Sequence, residues 1–154
     1  MTICHIMCGL PASGKSTFAK SLGVLRFNMD DMRDMMGNGR ETWTSERENL
    51  MVNIMIQGAK MALKAGQDVC IDNTHMVPRL PKRYKMELGL PGVTFKVHDF
   101  TGVDIDECHV RNGQRANAVP IHVIEQMAIR HKDATADGWR LTDEWMNGDL
   151  VSNV

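Results

Sequence analysis

Nine consecutive residues, Gly9, Leu10, Pro11, Ala12, Ser13, Gly14, Lys15, Ser16 and Thr17, carry the first recognisable chemistry in this chain. They satisfy the phosphate-loop pattern G-x-x-x-x-G-K-[ST] at every fixed position. Glycines let a backbone wrap closely around phosphate oxygens, and successive N–H groups at a helix start cradle their negative charge. Lys15 is placed to reach the β- and γ-phosphates of a bound nucleotide. The Ser16 hydroxyl is placed to ligate Mg2+, which offsets charge as the γ-phosphate is transferred. ATP, or another NTP, with Mg2+ is therefore the expected cofactor set. The loop alone does not separate kinases from ATPases or GTPases, but there is no NKxD base-reading motif and the chain is too short for the further modules of large motors. A small kinase acting on an acceptor leads.

A second group, Asn28-Met29-Asp30-Asp31-Met32-Arg33, follows the second apolar run. In an α/β sheet the carboxyl ends of strands line the ligand crevice, so Asp30 or Asp31 is expected near the γ-phosphate. A carboxylate there accepts the proton of an acceptor hydroxyl as the phosphoryl group arrives. Asp30, first after the strand, is the preferred base. Arg33, one helical turn on, would share its face and grip an acceptor phosphate with two parallel hydrogen bonds. The same residues also read as helix-start carboxylates with a solvated arginine. Asp72 ends a third apolar run, where a carboxylate would hold a magnesium-bound water, although Ile71-Asp72-Asn73-Thr74 reads equally as a turn. Arg111 and Arg115 lie four apart, so one helix face would present both as a lid that supplies charge to the transition state and excludes water. The competing reading is two exposed helix arginines. Arg79, Lys82, Arg83 and Lys85 make the best local basic patch, or simply a solvated face.

The elements that must position these groups are legible as alternating runs. Residues 2–8 suit a buried strand, with His5 as a core histidine. A helix is expected over 15–22, a strand over 24–29, and a long helix over 44–65. That helix carries apolar Leu50, Ile54 and Met61 with their neighbours, and its Ser45 and Glu48 have capping-box spacing. A strand follows over 69–71, a helix over 78–88 with Pro81 in its first turn, and a strand over 93–100. Helices over 104–114 and 121–132 flank a break at 116–120. Strands alternating with helices imply parallel pairing through right-handed crossovers. The expected fold is α/β: a P-loop NTPase-type three-layer sandwich with a mainly parallel four-stranded sheet and a helical lid at about 104–120. The tail, 137–154, is expected to be partly disordered, with Trp139 and Trp145 available to dock.

At 154 residues the chain fits one domain, 1–154, and 43% hydrophobic content is enough for a real core. A formal net charge of -1 rules out the global basic field that drives tight non-specific nucleic-acid binding, so any such contact must be local. Cys4, Cys8, Cys70 and Cys108 show no CxxC pairing, which points to a reduced interior. No apolar run approaches the ~18 residues that span a membrane. A cytoplasmic location without a membrane partner is expected, with the oligomeric state open. The 13 methionines are expected to fill core gaps in place of scarce aromatics.

The runs L-P-A-S-G-K-S-T-F, N-M-D-D-M-R, I-D-N-T and V-R-N-G-Q-R-A-N-A-V-P-I occur in that order over about residues 2–131. Together they resemble the 5′-OH polynucleotide kinase family, the end-healing kinases of phages, bacteria and eukaryotic DNA repair. The resemblance implies that Lys15 and Ser16 bind phosphate and metal, that Asp30 is the general base, that Arg33 contacts the acceptor's phosphate, and that Arg111 and Arg115 contact the nucleotide. It also implies a single-stranded 5′-OH end of DNA or RNA as partner, and the host cytoplasm if the chain is phage-encoded. His75 departs from the asparagine that many relatives carry after D-N-T. No DxDGT phosphatase motif is present, so a stand-alone kinase is implied. Two alternatives remain: a P-loop kinase for a small metabolite, a nucleoside or a hydroxymethylated base in DNA, and a nucleotide-binding switch that acts through partners.

Overall fold

The computed structural model describes residues 1–37, 39, 41–139 and 149–152. Its elements run β1 (Thr2–Cys8), α1 (Lys15–Ser21), β2 (Leu25–Phe27), α2 (Met29–Met36), α3 (Ser45–Lys64), β3 (Val69–Ile71), α4 (Arg79–Leu88), β4 (Val93–Asp99), α5 (Ile105–Gly113), α6 (Ile121–Ala136) and β5 (Asp149–Ser152). The four expected strands form a parallel sheet in the order β2-β3-β1-β4, and β5 adds to the β4 edge, also parallel. β5 lies in the tail that the sequence reading left without structure. Four residues bounded by Gly148 and Asn153 carry too little periodicity to mark a strand, and only the open β4 edge gives them a partner. Trp145 and residues 140–148 lie outside the described residues, as do 153–154.

The sheet is covered on both faces, which explains why β1 reads as a continuous apolar run. Cys4 and Ile6 face α3 and α4, where Met51, Met55, Ile56, Ala59, Leu63, Tyr84 and Leu88 complete the largest core cluster. Met7, Cys70 and Phe100 face α1 through Ala19 and Phe18. At the carboxyl end of β1, Cys8 and Leu10 pack with Cys108 and Ile124 of α5 and α6. His5 is buried on the α1 face as expected, its Nδ1 2.9 Å from His98 Nε2 and the two rings stacked beside Phe18.

Two details of α3 differ from the sequence reading. Leu50, Ile54 and Met61 are exposed, and the stripe that meets the sheet is Met51, Met55, Ile56, Ala59 and Leu63. Apolar residues surround much of this helix, so periodicity fixes the element but not which face the sheet selects. The cap is Thr44, extended at φ −137°, whose hydroxyl accepts from the Arg47 N–H at 3.1 Å. Ser45 is already helical. Glu48 is thereby moved out of capping range and is free to serve the cleft. The methionines divide: Met7, Met51 and Met55 fill the core, whereas Met35, Met61 and Met86 lie on the surface.

Candidate active site

The carboxyl ends of β1, β2 and β3 open into a cleft of about 1090 Å3. That is at the upper end of ordinary ligand pockets, with room for a nucleotide and part of a second substrate. Its wall includes Pro11, Ala12, Gly14, Lys15, Ser16 and Thr17 of the loop, Asp30 and Arg33 of α2, Asp72 after β3, and Arg111 and Arg115 of the α5 region. Residues separated by up to about a hundred positions in sequence are thus brought to one cavity. Gly9, Leu10 and Ser13, also expected at the site, lie beneath this wall.

Gly9 is required by close approach. A Cβ there would lie 2.7 Å from Ser13 Oγ and 2.8 Å from Phe100 Cβ, and its N–H donates to the Thr74 carbonyl at 2.9 Å. Gly14, at φ 98°, turns the chain into α1, and Ala12 also takes a positive φ of 63°. The loop therefore curls back on itself, with Pro11, Ala12 and Gly14 through Thr17 on the cleft wall. The Lys15 ammonium reaches Leu10 O at 3.3 Å. Burial lowers its pKa, Asp72 and Asp30 oppose that shift, and Arg115 adds to it. Two carboxylates and an arginine therefore act on one ammonium.

Asp72 is fully buried. Both Nε and Nη2 of Arg26 lie 2.7 Å from its Oδ2, while Oδ1 has no hydrogen-bond partner among the described residues. Ser16 stands on the same wall. A hydroxyl and an unsatisfied buried carboxylate oxygen are hard oxygen donors of the kind Mg2+ takes, and Mg2+ keeps most of its remaining shell as water and phosphate. Among the described residues no group of three or more histidine, cysteine or acidic side chains could form an all-protein metal cage. The donor set fits a magnesium held largely by nucleotide and water.

Arg33 is not the free fork that the sequence reading expected. Its Nε donates to Glu48 Oε2 at 3.0 Å, its Nη2 to Glu48 Oε1, and its Nη1 to Asp30 Oδ1 at 2.6 Å. The Arg33 hydrogen bond is the main reason Glu48 sits below the ordinary carboxylate range, with the Trp43 indole adding to it. Asp30 itself remains mostly exposed on the wall. Asp31 turns away from the cleft centre to Arg26 at 2.5 Å, and its backbone N–H is capped by Asn28. Arg111 lies against the loop, one guanidinium nitrogen 3.7 Å from where a Gly14 Cβ would stand, and pairs with Glu107. Asn112 exchanges two hydrogen bonds with Val119 at 2.7 and 2.9 Å, which pins the segment after α5 back onto the helix.

His75 has no face toward an acceptor. It is buried at φ 49°, its ring Nδ1–H donating to Met7 O at 2.5 Å with Tyr84 Oη 3.4 Å from Nε2. It is a strut behind the loop, and burial pushes its pKa down to about 4. On α4, Arg79, Lys82 and Lys85 are exposed, and Arg83 is tied to Glu87 and Asn53. Sequence reasoning passed over Arg26 and misread Glu48. A charged residue inside an otherwise apolar strand was the available signal for Arg26.

A family model described as an AAA domain matches residues 4–133. No curated protein matches. Among solved structures, a chain of the Pnkp1/Rnl/Hen1 RNA repair complex superposes with a TM-score of 0.73 at 23% identity, covering 91% of this chain and 47% of that one. A second Pnkp1/Rnl/Hen1 structure gives 0.56 at 26% identity, covering 71% and 38%. A protein assigned to the kinases from Chloroflexus aurantiacus gives 0.69 at 18% identity, covering 98% and 86%. The chain therefore spans about half or less of the Pnkp1/Rnl/Hen1 chains it resembles.

Proposed function

The chain belongs to the AAA domain family, with a P-loop NTPase-type fold, and from that premise we propose that it is a polynucleotide 5′-hydroxyl kinase, transferring the ATP γ-phosphate to the 5′-OH end of RNA or DNA. One observation carries the reading: Asp30 and Arg33, joined by a 2.6 Å hydrogen bond, share a cleft wall with Lys15 and Ser16. RNA stands beside DNA as acceptor because the Pnkp1/Rnl/Hen1 structures belong to an RNA repair complex.

In this mechanism the loop amides and Lys15 hold the donor's β- and γ-phosphates. Asp30 accepts the proton of the attacking 5′-hydroxyl, and the neighbouring Arg33 orients its carboxylate. Arg111 and Arg115 neutralise charge on the transferring group from the lid side and keep water out, so that the alcohol and not water is phosphorylated. Ser16 and Asp72 would hold Mg2+, which would supply charge neutralisation across the β- and γ-phosphates.

The bidentate hold of Glu48 on Arg33 favours a second reading. With two carboxylates around it, Arg33 is less open to an acceptor phosphate, which suits an uncharged hydroxyl compound such as a nucleoside or small metabolite. Incubation of labelled ATP with 5′-OH RNA and DNA oligonucleotides, and in parallel with nucleosides and sugar alcohols, separates the two. Label at the oligonucleotide 5′ end is the expected result. Label only in the small-molecule arm would replace the first reading with the second.

A further inference from the structure

Arg26 belongs to no phosphate-binding motif, yet it decides which way Asp72 points. It stands in β2, and its Nε and Nη2 converge on the single oxygen Oδ2 of Asp72 at 2.7 Å. Its Nη1 is held 2.5 Å from Asp31 Oδ2, so the guanidinium is fixed from both sides. Those two carboxylates sustain its charge against burial. The backbone around it is laced tight as well. Asn28 Nδ2 donates to Asp72 O at 2.5 Å, Met29 N–H to Asn73 Oδ1 at 3.0 Å, and Asp72 N–H to Phe27 O at 2.8 Å. The ends of β2 and β3 therefore cannot slide past each other without breaking these bonds.

A pair serving stability alone would be best satisfied by engaging both carboxylate oxygens with the two guanidinium donors. Here both donors go to one oxygen, and Oδ1 is left buried without a hydrogen-bond partner among the described residues, on the wall that also carries Lys15 and Ser16. Such an oxygen destabilises the fold unless something completes it. We infer that Arg26 is a positioning residue for the metal side of the site: it occupies one Asp72 oxygen so that the other stays presented to a divalent cation, or to a water on that cation, beside Ser16. The inference rests on the phosphotransferase reading above.

Arg26 also keeps two opposite charges apart. Asp72 already acts on the Lys15 ammonium, whose hydrogen bond to Leu10 O is long at 3.3 Å. Without Arg26, the carboxylate would turn onto Lys15. That would withdraw Asp72 from the metal and Lys15 from the phosphates together.

The test needs no acceptor and no turnover. Calorimetry would measure binding of a non-hydrolysable ATP analogue as Mg2+ is titrated, for the wild type, Arg26→Met and Arg26→Lys, with folding checked by circular dichroism. Arg26→Met should raise the Mg2+ concentration needed for half-maximal enhancement of analogue binding about tenfold, the scale expected when the support of a metal-bound group is lost. Arg26→Lys, which keeps one cationic donor, should shift it less. An unchanged Mg2+ dependence, with only the melting temperature lowered, would make the contact a structural ion pair and overturn the inference. Should Arg26→Met fail to fold, Arg26→Lys decides alone, a shift supporting and no shift overturning. A wild type that binds no analogue would overturn the inference together with the phosphotransferase reading, whereas intact binding without a Mg2+ shift overturns this inference only.

Discussion

On the proposed donor side of the cleft, nine residues contiguous in sequence would form the phosphate cradle largely from their own backbone, with Gly9 forced by the 2.7 and 2.8 Å approach of Ser13 and Phe100. On the proposed acceptor side nothing is contiguous: Asp30 and Arg33 come from α2 and Glu48 from α3, and they meet through their side chains. The contrast teaches that a backbone-built site is rigid and written locally, whereas a side-chain-built site depends on partners that only the fold brings together. Substitutions in the two halves should therefore fail in different ways.

The largest effect is expected on the donor side. Lys15→Met keeps the buried stem but removes the charge, and transition-state stabilisation of this kind is worth about 10²–10³ in turnover. Single-turnover transfer assays should show that loss with a melting temperature little changed, because the ammonium's hydrogen bond to Leu10 O is long, at 3.3 Å. An intact rate would mean that the loop does not serve chemistry. Arg33→Ala should behave differently. It should raise the acceptor KM by about 10- to 100-fold, the scale of charge-assisted hydrogen bonds, and also lower the melting temperature by leaving Glu48 unpaired. Loss of stability with an unchanged acceptor KM would reduce Arg33 to a tie between α2 and α3.

The smallest effect concerns the strut behind the loop. His75 has its pKa pushed from 6.5 down to about 4, so the folded chain keeps it neutral where the unfolded chain would protonate it. Stability is fully present above pH 6.5 and is lost as pH falls toward 4, by up to about 1.4 kcal/mol per pH unit from this residue. His98, lowered likewise to about 4, acts in the same direction. Urea unfolding at pH 7 and pH 5 measures it, and His75→Gln should flatten the difference. Equal stability at both pH values in the wild type would contradict a neutral buried strut.

The same contrast governs what the sequence disclosed. The loop, the strand and helix order and the general neighbourhood of Asp30, Arg111 and Arg115 were readable, because local pattern and the position of strand ends determine them. The partner of Arg33 was not, since Glu48 has the spacing of a capping box until Thr44 takes the cap. Nor was the exposed side of α3, where Leu50 and Ile54 are as apolar as the residues that bury. His75 read only as a departure from the asparagine many relatives carry there, and its burial against Met7 O shows that it is a strut. β5 needed the open β4 edge to be seen.

On the kinase reading, one cleft keeps nucleotide binding separate from activation of the acceptor alcohol, with Asp30 performing only the second. Measuring Asp30→Asn for both ATP affinity and transfer to a 5′-OH oligonucleotide tests it most directly. Removing a general base costs about 10²–10⁴ in rate, so transfer should fall by that factor while ATP affinity stays within a few-fold of the wild type. Transfer at the wild-type rate, or a loss of ATP binding equal to the loss of transfer, would contradict it.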